Sequence, residues 1–281
     1  MMRPRTLLLA VATIAMTLLA VEVSARAYSY YLGESVEYQG HGCGNSSANL
    51  PYYLNAIGAS LDSAGWKGLY YVKDGDWPQV YVDACMQPDG FDIIADSFDL
   101  VIEAHHGSIG NFFFGYPSPT GRCSVSLKND MRLGSMFGAR ASTAVFGSCC
   151  TLNKNYITDT ANWQWTRQNL GFHDITEFDN GMFADWFNAT RGPLGTLPFT
   201  LTNLQAWFYH FEDRPGWFTG DNSPMVISYG TSASDAQNTH ATARLGGGVL
   251  VSPRGGGPTC GGGQPLFYYY YTYVDHGNSG C

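Results

Sequence analysis

The sequence predicts an α/β protein in which a mostly parallel β-sheet is flanked by helices. Short apolar segments rich in β-branched and aromatic residues alternate with segments of helical periodicity, a pattern typical of βαβ units. Two of the apolar segments end abruptly in small polar turns, and the C-terminal part changes to a glycine- and tyrosine-rich composition. With 281 residues, the chain is long enough for one large domain and a short extension.

The first 27 residues have the three parts of a secretory signal peptide. Arg3 and Arg5 give a basic start, an apolar run extends over 7–21, and Ala25 and Ala27 offer small residues at the spacing that signal peptidase recognises. The run is shorter than the roughly 20 residues of a comfortable membrane span. We therefore expect residues 1–27 to be removed and the protein to be secreted, periplasmic or on the cell surface. An uncleaved N-terminal anchor is the alternative.

Composition excludes one class of partner. The net charge is −8, and the 15 lysines and arginines form no basic stripe. This argues against nucleic acid as a partner. No second long apolar segment follows residue 27, so we expect no membrane span once the signal is removed.

Residues 28–245 show the strand–helix alternation and are predicted to form one α/β domain. The predicted strands cover 36–40, 69–72, 100–104, 112–114, 143–147 and 225–229. A helix capped by Asn45 or Ser46 is predicted to end near residue 63. Further helices are predicted over 77–86, 129–139, 159–170, 180–189 and 202–211.

The C-terminal segment, 246–281, has a different composition. Residues 246–264 are rich in glycine, as linkers and loops are. Residues 266–274 include four consecutive tyrosines and predict a terminal strand. We expect this segment to be a β extension of the domain, through which the protein could associate with itself.

Seven cysteines lie beyond the predicted signal. In an oxidising compartment cysteines pair, and an odd number leaves at least one as a thiol or bound to another chain. Cys260 and Cys281 flank the predicted terminal strand and are candidates for one disulfide. If the six cysteines other than Cys149 form three disulfides, Cys149 is the remaining thiol.

Two predicted strands end in reactive side chains. The apolar run 100–104 stops at His105-His106-Gly107, and the run 143–147 stops just before Cys149. The carboxyl ends of parallel strands meet at one edge of an open α/β sheet, which is where sites form. We therefore expect His106 and Cys149 to share a rim, with His105 directed to the opposite face of its strand.

These motifs resemble those of the caspase-like cysteine peptidases, the caspases, legumains and gingipains. The turn His106-Gly107-Ser108 is similar to the His-Gly-Ser of legumains, and 145–149 is similar to the strand that precedes their nucleophile. The stretch from about 36 to 248 also resembles a secreted bacterial family of unknown function with a caspase-like core. That second resemblance rests on 147–152, 206–208 and 238–240. Gly-Ser precedes Cys149, where these peptidases often have an acidic residue and alanine.

The resemblance implies a cysteine peptidase that acts on a protein or peptide substrate without metal or cofactor. In such a pair Cys149 is the nucleophile and His106 the general acid and base. The backbone N–H groups of Gly107 and Cys149 would form the oxyanion hole. By the same resemblance Asn45 orients the histidine, although a helix N-cap is its alternative role.

Other interpretations stay open at this point. The protein could be a non-catalytic surface or assembly protein on the same scaffold, with Cys149 an inert thiol or joined to Cys150. A metal-dependent hydrolase using His105 or His106 is a weaker hypothesis. His41 with Cys43 is also a weak candidate for zinc.

Overall fold

The computed structural model describes residues 28–43, 48–72, 76–91, 93–134, 140–155, 166–174, 176–191, 201–212, 221–245 and 268–277. The predicted signal peptide, the glycine-rich segment and the Cys260–Cys281 pairing fall outside these residues. The order of elements is β1 (Ser29–Glu34), α1 (Asn55–Ser63), β2 (Lys67–Val72), a 3-10 turn (Pro78–Val80), α2 (Ile93–Asp96), β3 (Leu100–Ala104), β4 (His106–Ser108), β5 (Asn111–Phe113), β6 (Ser124–Ser126), β7 (Thr143–Gly147), β8 (Gln168–Phe172), α3 (Met182–Arg191), α4 (Asn203–Phe211), β9 (Pro224–Gly230), α5 (Ala233–Thr242) and β10 (Tyr268–Tyr273).

The chain folds around a mostly parallel mixed sheet of seven strands in the order β10-β9-β8-β7-β3-β1-β2. The strands β2, β1, β3, β7 and β8 pair in parallel, whereas β8–β9 and β9–β10 are antiparallel. A second, three-stranded antiparallel sheet, β4-β5-β6, begins directly after β3. The predicted α/β class is confirmed at this level, as a sheet flanked by helices.

The central strands are apolar because both of their faces are covered. Every residue of β1, β3 and β7 is buried, which accounts for continuous apolar runs in place of alternation. On one face, α1, α3 and α4 enclose an aromatic cluster in which the rings of Trp207 and Phe211 lie 4.0 Å apart. The other face packs against the small sheet and the segment around Tyr81. The fold thus leaves the carboxyl ends of the parallel strands as the edge where loops meet.

Helix α4 begins where its sequence predicts. The side chain of Thr202 accepts from the Gln205 amide, and the Gln205 side chain accepts in return from the Thr202 amide. This reciprocal pair is a capping box, which satisfies two N–H groups at the helix start. Helix α5, which was not predicted, has a similar signal, because the Ser232 hydroxyl accepts from the Asp235 amide.

Several predicted elements differ from the structure. The first strand is Ser29–Glu34 and not 36–40, and helix α1 starts only at Asn55, after Pro51, which disfavours helix at the residue before it. Residues 129–130 and 133–134 lie in turns and 131–132 have no regular structure, so the described part of the helix predicted over 129–139 is not helical. The end of the segment predicted as helix over 159–170 belongs to β8. The 77–86 segment contains only the 3-10 turn followed by further turns.

The strand predicted over 266–274 is present as β10 and lies at one end of the seven-stranded sheet. It is held to α5 by His240, whose Nε2 lies 2.8 Å from the hydroxyl of Thr272. Four tyrosines of this strand, 268–271, are between 42% and 49% exposed. Within the described residues, no helix is long and apolar enough to cross a bilayer.

Disulfide bonding is confirmed. Cys43 is bonded to Cys123, which joins the loop after β1 to the segment before β6. Cys85 and Cys150 are disulfide-bonded as well, and Cys149 is present as the thiol. A Cys149–Cys150 disulfide is therefore excluded, and Cys43 is not available as a zinc ligand beside His41.

Candidate functional site

A cleft of about 240 Å³ opens at the carboxyl ends of the parallel strands and contains both sequence-predicted side chains. His106 follows β3, and Cys149 follows the neighbouring strand β7. The same cleft is lined by residues that come after β1 and β8, including Tyr53 and Glu177. The topology thus brings together the two motifs, 43 positions apart in the sequence, as the strand-end argument predicts.

Cys149 lies in a sharp turn with its sulfur against the loop after β8. The thiol donates to the carbonyl oxygen of Thr176 at 3.5 Å, and the Thr176 amide donates back to the sulfur at 3.4 Å. The next residue, Cys150, has φ of +59°, a conformation that non-glycine residues adopt rarely and often at functional sites. The amide of Thr176 is thus placed to stabilise a thiolate at Cys149.

The imidazole of His106 is oriented by a backbone carbonyl. Its Nε2 lies 2.7 Å from the carbonyl oxygen of Ala48, which can only accept, so Nε2 has the proton in the neutral ring. The backbone amide of His106 donates to the hydroxyl of Tyr38 at 2.9 Å. Burial, together with the charge of His105, lowers the pKa of His106. At neutral pH the ring is neutral, with Nδ1 as its basic nitrogen.

The loop that contains Ala48 is itself anchored. The side-chain oxygen of Asn49 accepts from the Tyr38 amide at 2.9 Å, and the Leu50 amide donates to Val36 at 2.9 Å. Asn45, predicted to orient the histidine, lies outside the described residues. The contact that does orient it, a main-chain carbonyl, has no side-chain signature in a sequence.

Gly107 lies where the two turns come closest. A Cβ at this position would overlap the carbonyl oxygen of Cys149 and lie 2.8 Å from the Cβ of Ser148. Only glycine therefore allows β4 to approach the Cys149 turn this closely. The backbone of Gly107 and that of Cys149 are adjacent, as an oxyanion hole formed by their N–H groups requires.

The far wall of the cleft is formed by the segment after β8. The amide of Glu177 donates to the side chain of Asn222, which donates in turn to the Glu177 carbonyl, both at 2.9 Å. Phe178 packs edge-on against Tyr53, with ring centroids 5.3 Å apart. On the other side, the Tyr53 amide donates to the buried carboxylate of Glu34. Among the described residues that line the cleft, Glu177 is the one with a carboxyl side chain, and it lies in the same lining as the aromatic residues Tyr53 and Phe178.

His105 occupies the opposite face of its strand, as predicted, and is completely buried. Its two ring nitrogens lie 2.6 Å from Glu103 and 2.7 Å from Asp76. Both nitrogens are thus engaged by carboxylates. Across the described residues, no group of three or more His, Cys, Asp and Glu side chains has the arrangement of a metal site.

No protein-family model and no curated protein matches this chain. A thiol beside a peptide amide, a neutral imidazole with a defined basic nitrogen and a close glycine turn form a set that can perform acyl transfer.

Proposed function

We propose that the chain is a secreted cysteine peptidase of the caspase-like type, in which Cys149 is the nucleophile and His106 the general acid and base. The observation that supports this most is the location of the Cys149 thiol and the neutral His106 ring in one cleft, at the ends of adjacent parallel strands. The mostly parallel sheet is the architecture that the resemblance implies. The Cys43–Cys123 disulfide fits an oxidising compartment outside the cytoplasm.

In the proposed reaction His106 Nδ1 takes the proton of the Cys149 thiol, and the thiolate attacks the carbonyl carbon of a peptide bond. The oxygen becomes an oxyanion that the N–H groups of Gly107 and Cys149 stabilise. The C–N bond then breaks, the amine leaves with the proton from His106, and a thioester remains. Water gives a proton to His106 and attacks the thioester, which releases the acid and returns the proton to the sulfur.

Peptide cleavage tests this function directly. The mature protein is incubated with a mixture of peptides that samples all side chains, and new termini are identified by mass spectrometry. We expect cleavage that Cys149→Ala abolishes and that His106→Ala reduces by about 10² to 10⁴. Activity in the presence of a chelator separates this mechanism from metal-dependent hydrolysis. Cleavage that survives Cys149→Ala, or no cleavage of any peptide, contradicts the proposal.

A second candidate is a non-catalytic surface or assembly protein, which the exposed tyrosines of β10 favour. A strand at the edge of a sheet with exposed side chains is a template for association between chains. This role predicts self-association that persists in Cys149→Ala and is lost when the chain is cut at Gly246. A monomer of unchanged size at high concentration contradicts it, as measured by sedimentation.

A further inference from the structure

One buried carboxylate joins the two turns of the candidate site. Glu103 accepts from the Nδ1–H of His105 at 2.6 Å, and from the hydroxyl of Ser148 at 2.8 and 2.7 Å to its two oxygens. His105 is the residue before His106, and Ser148 is the residue before Cys149. Glu103 therefore contacts the neighbour of each candidate catalytic residue.

Strand geometry explains why these three side chains meet. Glu103 pairs with Phe146 in the parallel register of β3 and β7, so the two side chains share one face of the sheet. His105 is two residues beyond Glu103, and Ser148 is two residues beyond Phe146. Side chains two apart on a strand point the same way. His106 and Cys149, which follow His105 and Ser148 by one residue, are directed to the other face.

The chain of hydrogen bonds continues away from the cleft. Nε2 of His105 lies 2.7 Å from one oxygen of Asp76. The other oxygen accepts from the hydroxyls of Tyr31 and Tyr81, at 3.0 and 3.1 Å. A Cβ on Gly33, the β1 residue that pairs with Glu103, would overlap the Tyr81 hydroxyl and lie 2.6 Å from the Asp76 oxygen. The sheet thus leaves space for this arrangement where a side chain would otherwise fill it.

The stability of the fold does not by itself require the buried charges of Glu103, His105 and Asp76. Burial would lower the pKa of His105, but Asp76 and Glu103 raise it to about 9, so the ring is an imidazolium between two carboxylates. Burial raises the pKa of Glu103, opposed by its bonds to His105 and Ser148. Buried ion pairs cost desolvation that packed apolar side chains avoid. A role in placing neighbouring groups accounts for the arrangement.

We propose that Glu103 is a positioning residue that, through His105 and Ser148, sets the placement of His106 relative to Cys149. The inference rests on the proposed function of that pair. The sheet pairing of β3 and β7 ends at Ala104 and Gly147, so beyond it the two turns need another connection. Glu103 supplies a connection between the two turns through its hydrogen bonds to His105 and Ser148. The connection matters because misplacement of a reacting group by about 1 Å costs on the order of 100-fold in rate.

Two substitutions and a matched control test the proposal. Ser148→Ala removes the hydroxyl that Glu103 accepts from, and Glu103→Gln keeps the shape while removing the charge. Ser142→Ala is the control, since Ser142 is a buried serine next to the opposite end of β7 whose hydroxyl donates to the Asp99 carbonyl at 3.0 Å. Each variant is measured for kcat and KM on a cleaved peptide, for thermal unfolding, and for the pH profile of Cys149 alkylation by iodoacetamide.

We expect Ser148→Ala to lower kcat about tenfold and Glu103→Gln about 100-fold, with KM within twofold of the wild type. The alkylation profile of Cys149 should move toward that of an ordinary thiol, as in His106→Ala. Ser142→Ala should affect unfolding alone. Wild-type kcat and an unchanged profile in both test variants, or equal effects in Ser142→Ala, overturn the proposal.

The alkylation profile separates this inference from the proposed function. A wild-type protein that cleaves no peptide contradicts the peptidase assignment. If its Cys149 alkylation still depends on His106 and is altered by Ser148→Ala, the positioning role is supported. A profile that His106→Ala leaves unchanged overturns the positioning role, because there is then no coupling for Glu103 to set.

Discussion

At the scale of single residues, Gly107 is the position in the candidate site that least tolerates an added side chain. A Cβ added at Gly107 would overlap the carbonyl oxygen of Cys149 and lie 2.8 Å from the Cβ of Ser148. We expect Gly107→Ala to separate the two turns, to lower peptide cleavage by about 100-fold, and to lower the free energy of unfolding by about 1–3 kcal/mol. Steady-state kinetics and urea unfolding measure the two effects.

Gly58→Ala is the matched control for Gly107→Ala. A Cβ at Gly58, inside α1, would have only the Leu32 Cδ1 atom nearby, at 3.4 Å. Because alanine favours helix over glycine by about 0.5–1 kcal/mol, this variant should keep full activity and unfold no more easily. Equal activities of the two alanine variants would contradict the close-approach argument.

The sequence predicts some roles at this scale and not others. His106 and Cys149 follow apolar runs, so the rule for strand ends locates both. No pattern in the sequence predicts a role for Ser148, and its bond to Glu103 explains the hydroxyl. That bond joins residues 45 positions apart, and only the register of β3 and β7 reveals it.

At the scale of elements, the disulfide joins Cys43, five residues before Ala48 in the sequence, to Cys123, which directly precedes strand β6 of the small sheet. The two cysteines are 80 residues apart in the sequence. We expect the double variant Cys43→Ser with Cys123→Ser to lose about 2–4 kcal/mol of unfolding free energy. We also expect kcat to fall, because the Ala48 carbonyl that bonds His106 would be held less firmly. The kcat is measured at saturating peptide.

Retained function would show which contacts hold that loop. If the double variant keeps wild-type kcat, the hydrogen bonds of Asn49 to Tyr38 and of Leu50 to Val36 are enough to hold Ala48 in place. The disulfide then has no role in orienting His106.

The elements that the sequence predicts well have local signals. Strands β3, β7 and β9 are apolar runs, and α4 has the capping box at Thr202. Strand β8 lacks such a signal because it is polar and buried. Gln168 bonds both Ser228 and Asn203 through its side chain, so its partners lie in distant parts of the chain. Helical periodicity in the neighbouring sequence therefore predicted the wrong element there.

At the scale of the whole molecule, stability should decrease as pH rises from about 6.5 to 9. The pKa of His105 is raised to about 9 in the folded state, against about 6.5 in an unfolded chain. Its contribution is therefore fully present below pH 6.5 and is lost as pH rises through 9. In urea unfolding across this range, the stability of the wild type relative to His105→Gln should fall by about 2–3 kcal/mol. A flat or rising profile contradicts the imidazolium assignment.

His240 predicts the opposite dependence on the acid side. Burial lowers its pKa to about 4, so its contribution is present above pH 6.5 and is lost as pH falls through 4. His240→Asn keeps a polar group between Ser228 and Thr272 and removes the titration. The stability of the wild type relative to this variant should fall between pH 6.5 and 4. A constant difference would contradict the prediction.

Labelling with an electrophilic peptide probe, a peptidyl acyloxymethyl ketone, tests the central claim most directly. Peptide mapping by mass spectrometry of the mature, folded protein should show one adduct, on Cys149. Labelling should be absent in Cys149→Ala, at least 100-fold slower in His106→Ala, and unchanged in Ser142→Ala. An adduct that survives Cys149→Ala, or a Cys149 found in a disulfide, would contradict the assignment of the His106–Cys149 pair.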